Sequence, residues 1–102
     1  MNPPDIPRPL PASQIRAAAS VVWRRVEGSI ILVDLTTNKT YELNATGGRL
    51  WELLDGGATY GDALATLSSE YDVSEEQLRG EAGNLVARLL AEKLAEEMPP
   101  AG

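Results

Sequence analysis

The chain changes hydrophobic period once, and that change divides it into two kinds of structure. From Ser20 to Val26 the residues S-V-V-W-R-R-V are β-branched and aromatic enough for a strand. Glu27-Gly28-Ser29 reads as a turn, and Ile30-Ile31-Leu32-Val33 is apolar on both faces, as a central strand is. Thr36-Thr37-Asn38-Lys39 reads as a second turn, and Thr40-Tyr41-Glu42-Leu43 alternates like a short strand with one wet face. The pattern predicts a three-stranded antiparallel meander whose last strand is an edge.

From Asn44 onward the period is helical. A first helix, about Ala45 to Asp55, turns Leu50, Trp51, Leu53 and Leu54 inward and stops at Gly56-Gly57. Thr59 is placed to cap a second helix with Asp62 at the capping-box position, and Tyr60, Ala63, Leu64, Leu67 and Tyr71 mark its stripe. Ser74-Glu75-Glu76-Gln77 is a capping box for a third helix, with Val73 and Leu78 as its hydrophobic staple. The spacing predicts that this helix runs to about Glu97, with Leu78, Ala82, Leu85 and Leu89 on its core face. Arg79, Val86 and Leu90 then form a second, partly apolar flank available to a partner. Gly80 and Gly83 interrupt this helix at about 1 kcal/mol each. They leave room for another backbone, or for the protein's own sheet.

Prolines punctuate both ends. Pro3, Pro4, Pro7, Pro9 and Pro11 predict a flexible arm over residues 1–19, ahead of one folded domain over 20–98 and a tail over 99–102. The fold class is α+β, winged helix-turn-helix-like: a three-stranded antiparallel sheet followed by three helices.

Composition narrows the chemistry. The 102 residues include neither Cys nor His, which removes disulfides, thiolate and imidazole metal ligands, and the commonest general base. The paired carboxylates Glu75/Glu76 and Glu96/Glu97 sit at expected helix ends, without apolar surroundings to raise a pKa. Gly47-Gly48 and Gly56-Gly57 lack phosphate-loop spacing. The expectation is a non-enzyme without metal or cofactor. Net charge is -6, and residues 50–102 carry eleven acidic against three basic side chains. A winged-helix DNA-binding regulator is the rival class for this element order, but such a helix surface repels phosphate. No apolar run spans a bilayer, and prolines occupy the place of a signal peptide's apolar region. A cytoplasmic protein that meets neither nucleic acid nor membrane is expected.

Thr40 to Leu43 carries no Pro and one charge, Glu42, whereas edge strands are usually blunted. An open edge beside a partly apolar helix flank suits β-strand addition of a peptide. Leu43-Asn44-Ala45-Thr46-Gly47, followed by Leu50-Trp51-Glu52-Leu53-Leu54-Asp55-Gly56, resembles the signature of the PqqD family. Leu32-Val33-Asp34-Leu35 and Tyr41-Glu42-Leu43-Asn44 are most similar to the stand-alone precursor-recognition proteins of lasso-peptide biosynthesis, over about Val21 to Glu97. The resemblance implies a RiPP recognition element, a domain that binds the leader of a ribosomally made precursor peptide. It assigns Thr40, Tyr41, Glu42 and Leu43 to strand addition, and Arg79, Ala82, Val86 and Leu90 to the helix side of the groove. It implies as partners the leader, a separate leader peptidase and a cyclase. The alternative within the family is a peptide chaperone for a radical SAM enzyme of quinone-cofactor synthesis.

Overall fold

The structure, a computed structural model, describes residues 11–98. In chain order the elements are β1 (Gln14–Ala17), β2 (Val21–Val26), β3 (Ser29–Asp34), β4 (Lys39–Leu43), α1 (Ala45–Asp55), α2 (Tyr60–Glu70), α3 (Glu75–Ala91) and β5 (Ala95–Met98). Strands β2, β3 and β4 form the expected antiparallel meander in that order, and β1 and β5 form a separate two-stranded ribbon.

The register fixes which side of the meander faces the helices. Leu32 lies between Trp23 and Tyr41, and Ile30 between Arg25 and Leu43. Ile30, Leu32 and Leu43 are buried against the helical layer, which follows from the period of two in strand side chains. Asp34 is buried at the end of β3 and accepts from the Thr36 N–H at 2.9 Å, an Asx turn that starts the β3–β4 connection.

Each helix begins where a side-chain oxygen takes up an otherwise unpaired N–H. Asn44 Oδ1 accepts from Gly47 at 2.8 Å, Thr59 Oγ1 from Asp62 at 3.2 Å and Ser74 Oγ from Gln77 at 3.1 Å. Helix α1 lies close on β3: a Cβ built on Gly48 would stand 2.7 Å from Ile30 Cγ1. Leu50, Trp51 and Leu54 of α1, Ala63 and Leu67 of α2, and Leu78, Val86 and Leu89 of α3 close the core over that sheet face.

Two expectations about the chain ends are corrected. The arm does not extend over all of residues 1–19: Gln14–Ala17 is a strand, and residues 1–10 lie outside the described residues. Ile15 is 2 % exposed, and the Pro11 and Ser13 carbonyls accept from the Gly61 and Tyr60 N–H groups at 2.8 Å each. One deeply buried side chain and two bonds to the start of α2 thus anchor a segment whose prolines read as unstructured.

The last helix ends at Ala91 rather than near Glu97. Lys93 takes a left-handed φ of 60°, and the N–H groups of Lys93 and Leu94 return to the carbonyls of Leu90 and Leu89. This is a Schellman stop made without glycine. It drives Leu94 and Ala95 into the core and pairs 95–98 with β1 in antiparallel register. Lys, Leu, Ala and Glu all favour helix locally. Burial of Leu94 and pairing with β1 override that preference. The tail, residues 99–102, lies outside the described residues.

Candidate functional site

Among the described residues, strand β4 pairs with β3 on one side and with no strand on the other. In an antiparallel pair alternate residues turn their N–H and C=O groups away from the partner, so one set of backbone groups along β4 is offered outward. Tyr41 and Leu43 point to the helix side, and Thr40 and Glu42 are exposed on the other. Beside this edge runs α3, and between them lies a groove of about 660 Å³.

On the helix side the groove is lined by Glu81, Ala82, Leu85, Arg88, Leu89 and Glu92, a spacing of three and four that falls on one helical face. Its floor is apolar, with Leu43, Leu50, Leu67 and Leu78 reaching it from four elements. At one end the first turn of α1 approaches α3 closely enough that a Cβ on Gly47 would meet Leu85 Cδ2 at 3.1 Å. At the other, the Tyr41 hydroxyl donates to Glu92 Oε2 at 3.1 Å, tying the edge strand to the cap of α3. Burial, then the bond to the Glu92 carboxylate, raises the Tyr41 pKa above its ordinary value, so the hydroxyl keeps its proton through the neutral range.

Thr40, Tyr41, Glu42 and Leu43 all line this groove, and so does Ala82. Three other sequence-based assignments do not. Val86 is 0 % exposed and belongs to the core, Leu90 is half-buried against that core, and Arg79 is exposed and ion-paired to Glu75 at 2.9 Å. Arg79 borders a different cleft, of about 520 Å³, between α2, α3 and Pro11. The reason is geometric. A half-sunk helix has a flank on each side of its core stripe, and the more apolar flank in sequence, with Val86 and Leu90, is not the one beside β4. Leu85, read as core, is half-buried and turns to the groove, while Val86 takes the core position. Glu81, Leu85, Arg88 and Glu92 were therefore missed, although Leu85, Arg88 and Glu92 follow Ala82 at helical spacing and Glu81 stands one turn before Leu85.

The groove suits an extended segment: backbone pairing along one wall and apolar contacts along the floor. Among the described residues there is no group of three or more Asp, Glu, His or Cys side chains that could hold a metal ion. None of the helices there is long and apolar enough to cross a membrane.

The family model described as coenzyme PQQ synthesis protein D (PqqD) matches residues 29–95, from the start of β3 to the start of β5. Two solved structures are similar in fold. One is described as TbiB1 in complex with the TbiA(beta) leader peptide, with a TM-score of 0.75 at 23 % identity over 79 % of this chain and 94 % of that one. The other is lasso peptide synthetase B1 complexed with the leader peptide, with a TM-score of 0.74 at 22 % identity over 81 % of this chain and 98 % of that one. No curated protein matches.

Proposed function

The chain belongs to the PqqD family, and from that premise we propose that it is a non-enzymatic peptide-recognition protein of lasso-peptide maturation. It takes the leader of a ribosomally made precursor as an added strand on β4 and presents it to a separate leader peptidase and cyclase in the cytoplasm. The observation that carries this reading is the open edge of β4 facing an apolar-floored groove along α3. Both similar solved proteins are described with leader peptides bound. Backbone pairing gives affinity that is largely indifferent to sequence, and the pocketed floor gives choice among side chains. Thr40, Tyr41, Glu42 and Leu43 form the strand wall, and Ala82 with Leu85 the apolar helix wall. The absence of both His and Cys leaves the groove without the usual nucleophile–base pairs.

Titration of the isotope-labelled protein with the cognate leader tests this. The amide signals of Lys39–Leu43 and of the groove face of α3 are expected to shift, and alternate β4 amides to gain protection from exchange. A leader that leaves both elements unmoved refutes strand addition. The family model's own description favours a second reading, in which the peptide is passed to a radical SAM enzyme of quinone-cofactor synthesis. Binding of that pathway's precursor in preference to a lasso leader would select it.

A further inference from the structure

The meander has a second face, which nothing described covers. Alternation places Val22, Arg24 and Val26 of β2, Ile31 and Val33 of β3, and Thr40 and Glu42 of β4 on the side away from the helices. Val22 is 48 % and Val26 47 % exposed. Leu35, 62 % exposed, continues that side, because its N–H still bonds the Ser20 carbonyl at 2.8 Å and prolongs the ladder. A sheet face this apolar is unusual on a surface that is otherwise strongly acidic.

The charges on it are ordered. One row across the sheet reads Arg24, Ile31, Glu42, with a cation on β2 and an anion on β4 on either side of a central apolar residue. None of the ion pairs among the described residues engages Arg24 or Glu42. From this row we infer that the face is an isologous interface for a second copy of this chain. A two-fold axis running along β3 between two stacked sheets lays β2 of one copy over β4 of the other. Each Arg24 then stands opposite the partner's Glu42, twice over, while Ile31 and Val33 meet their own equivalents on the axis. The alternative in-plane axis, across the strands, sets Arg24 over Arg24 and Glu42 over Glu42, so the charge pattern selects one arrangement. The face carries no net charge from these two side chains, whereas the whole chain carries -6. Two copies therefore meet here with less repulsion than through their helices. Sheets packed this way lie about 10 Å apart with strands nearly aligned.

The patch is small. Three strands about 4.8 Å apart and five residues of about 3.4 Å each give a footprint roughly 14 by 17 Å. That is well short of the ~800 Å² per partner typical of stable complexes, so the dimer is reversible and concentration-dependent. The groove-side edge of β4 points sideways and stays open in it.

Sedimentation equilibrium without any peptide tests the inference. Across roughly 10 μM to 1 mM, the range over which weak interfaces fill, the average mass of the natural chain is expected to rise toward that of two chains. R24E and E42R, each folded by circular dichroism, should self-associate at least tenfold more weakly, because each carries two like charges on the face. An equimolar mixture of the two variants should regain association, since each variant then meets its complement. A natural chain that stays single throughout, an R24E variant that associates as before, or a mixture no better than its components would overturn the inference. Peptide titration at low protein concentration reports on the groove independently of this result.

Discussion

At the level of single residues, two glycines in helices make opposite demands. Gly48 in α1 has no room: an added methyl group would lie 2.7 Å from Ile30 Cγ1. Gly80 in α3 has nothing within 4 Å of where a Cβ would stand and borders neither the groove nor the second cleft. Gly48→Ala is therefore expected to destabilise by about 1–3 kcal/mol, as overpacking does, less the gain in helix propensity. Gly80→Ala should instead stabilise by roughly 0.5–1 kcal/mol through the same propensity, with leader affinity unchanged. Urea midpoints at constant m-value separate the two. Sequence alone marks both positions as anomalies within helices. It cannot tell them apart, because the answer lies in how closely a distant strand approaches.

Single elements show why some of the architecture is legible from local pattern and some is not. The meander and the three helix starts are written locally, in β-branched runs, turn residues and the caps Asn44, Thr59 and Ser74. The β1–β5 ribbon is not, because its two strands are about 80 positions apart and each reads as something else, a Pro-rich arm and a helix end. The groove divides in the same way. Its strand wall is legible from Thr40–Leu43, but which flank of α3 faces that wall depends on rotation of the helix about its own axis. Two tests follow. Ile15→Ala is expected to cost about 2–5 kcal/mol, the range for emptying a packed core site, and denaturant unfolding measures it. A loss below about 0.5 kcal/mol, ordinary for a surface change, would mean that β1 does not hold the ribbon to the core. Leu85→Asp, on a half-buried groove position, should keep the fold and weaken leader binding at least tenfold by placing an unpaired charge against the bound segment. Titration calorimetry decides this, and unchanged affinity would remove α3 from the binding surface.

For the whole molecule, electrostatics tie its two halves to pH. Asp34, at the β3–β4 turn, has its pKa lowered chiefly by the Thr36 N–H, with Ser20 and Thr37 adding to it. Glu70, at the end of α2, has its pKa lowered chiefly by the two-pronged bond from Arg49 of α1, at 3.0 and 2.9 Å. In both cases the folded state binds its proton less readily than the unfolded chain does. The stabilisation is then complete above the ordinary carboxylate range near pH 4 and is lost as pH falls through the lower folded values. One group secures the meander and the other the contact between α1 and α2, so acid loosens sheet and helical layer together. Stability from urea midpoints is expected to be flat from about pH 6 to 8 with respect to these groups, and to decline below about pH 4. Asp34→Asn keeps the side chain's shape but cannot titrate, so it should lower stability at neutral pH and flatten part of the acid slope. An acid slope identical to that of the natural chain would show that Asp34 contributes nothing to it.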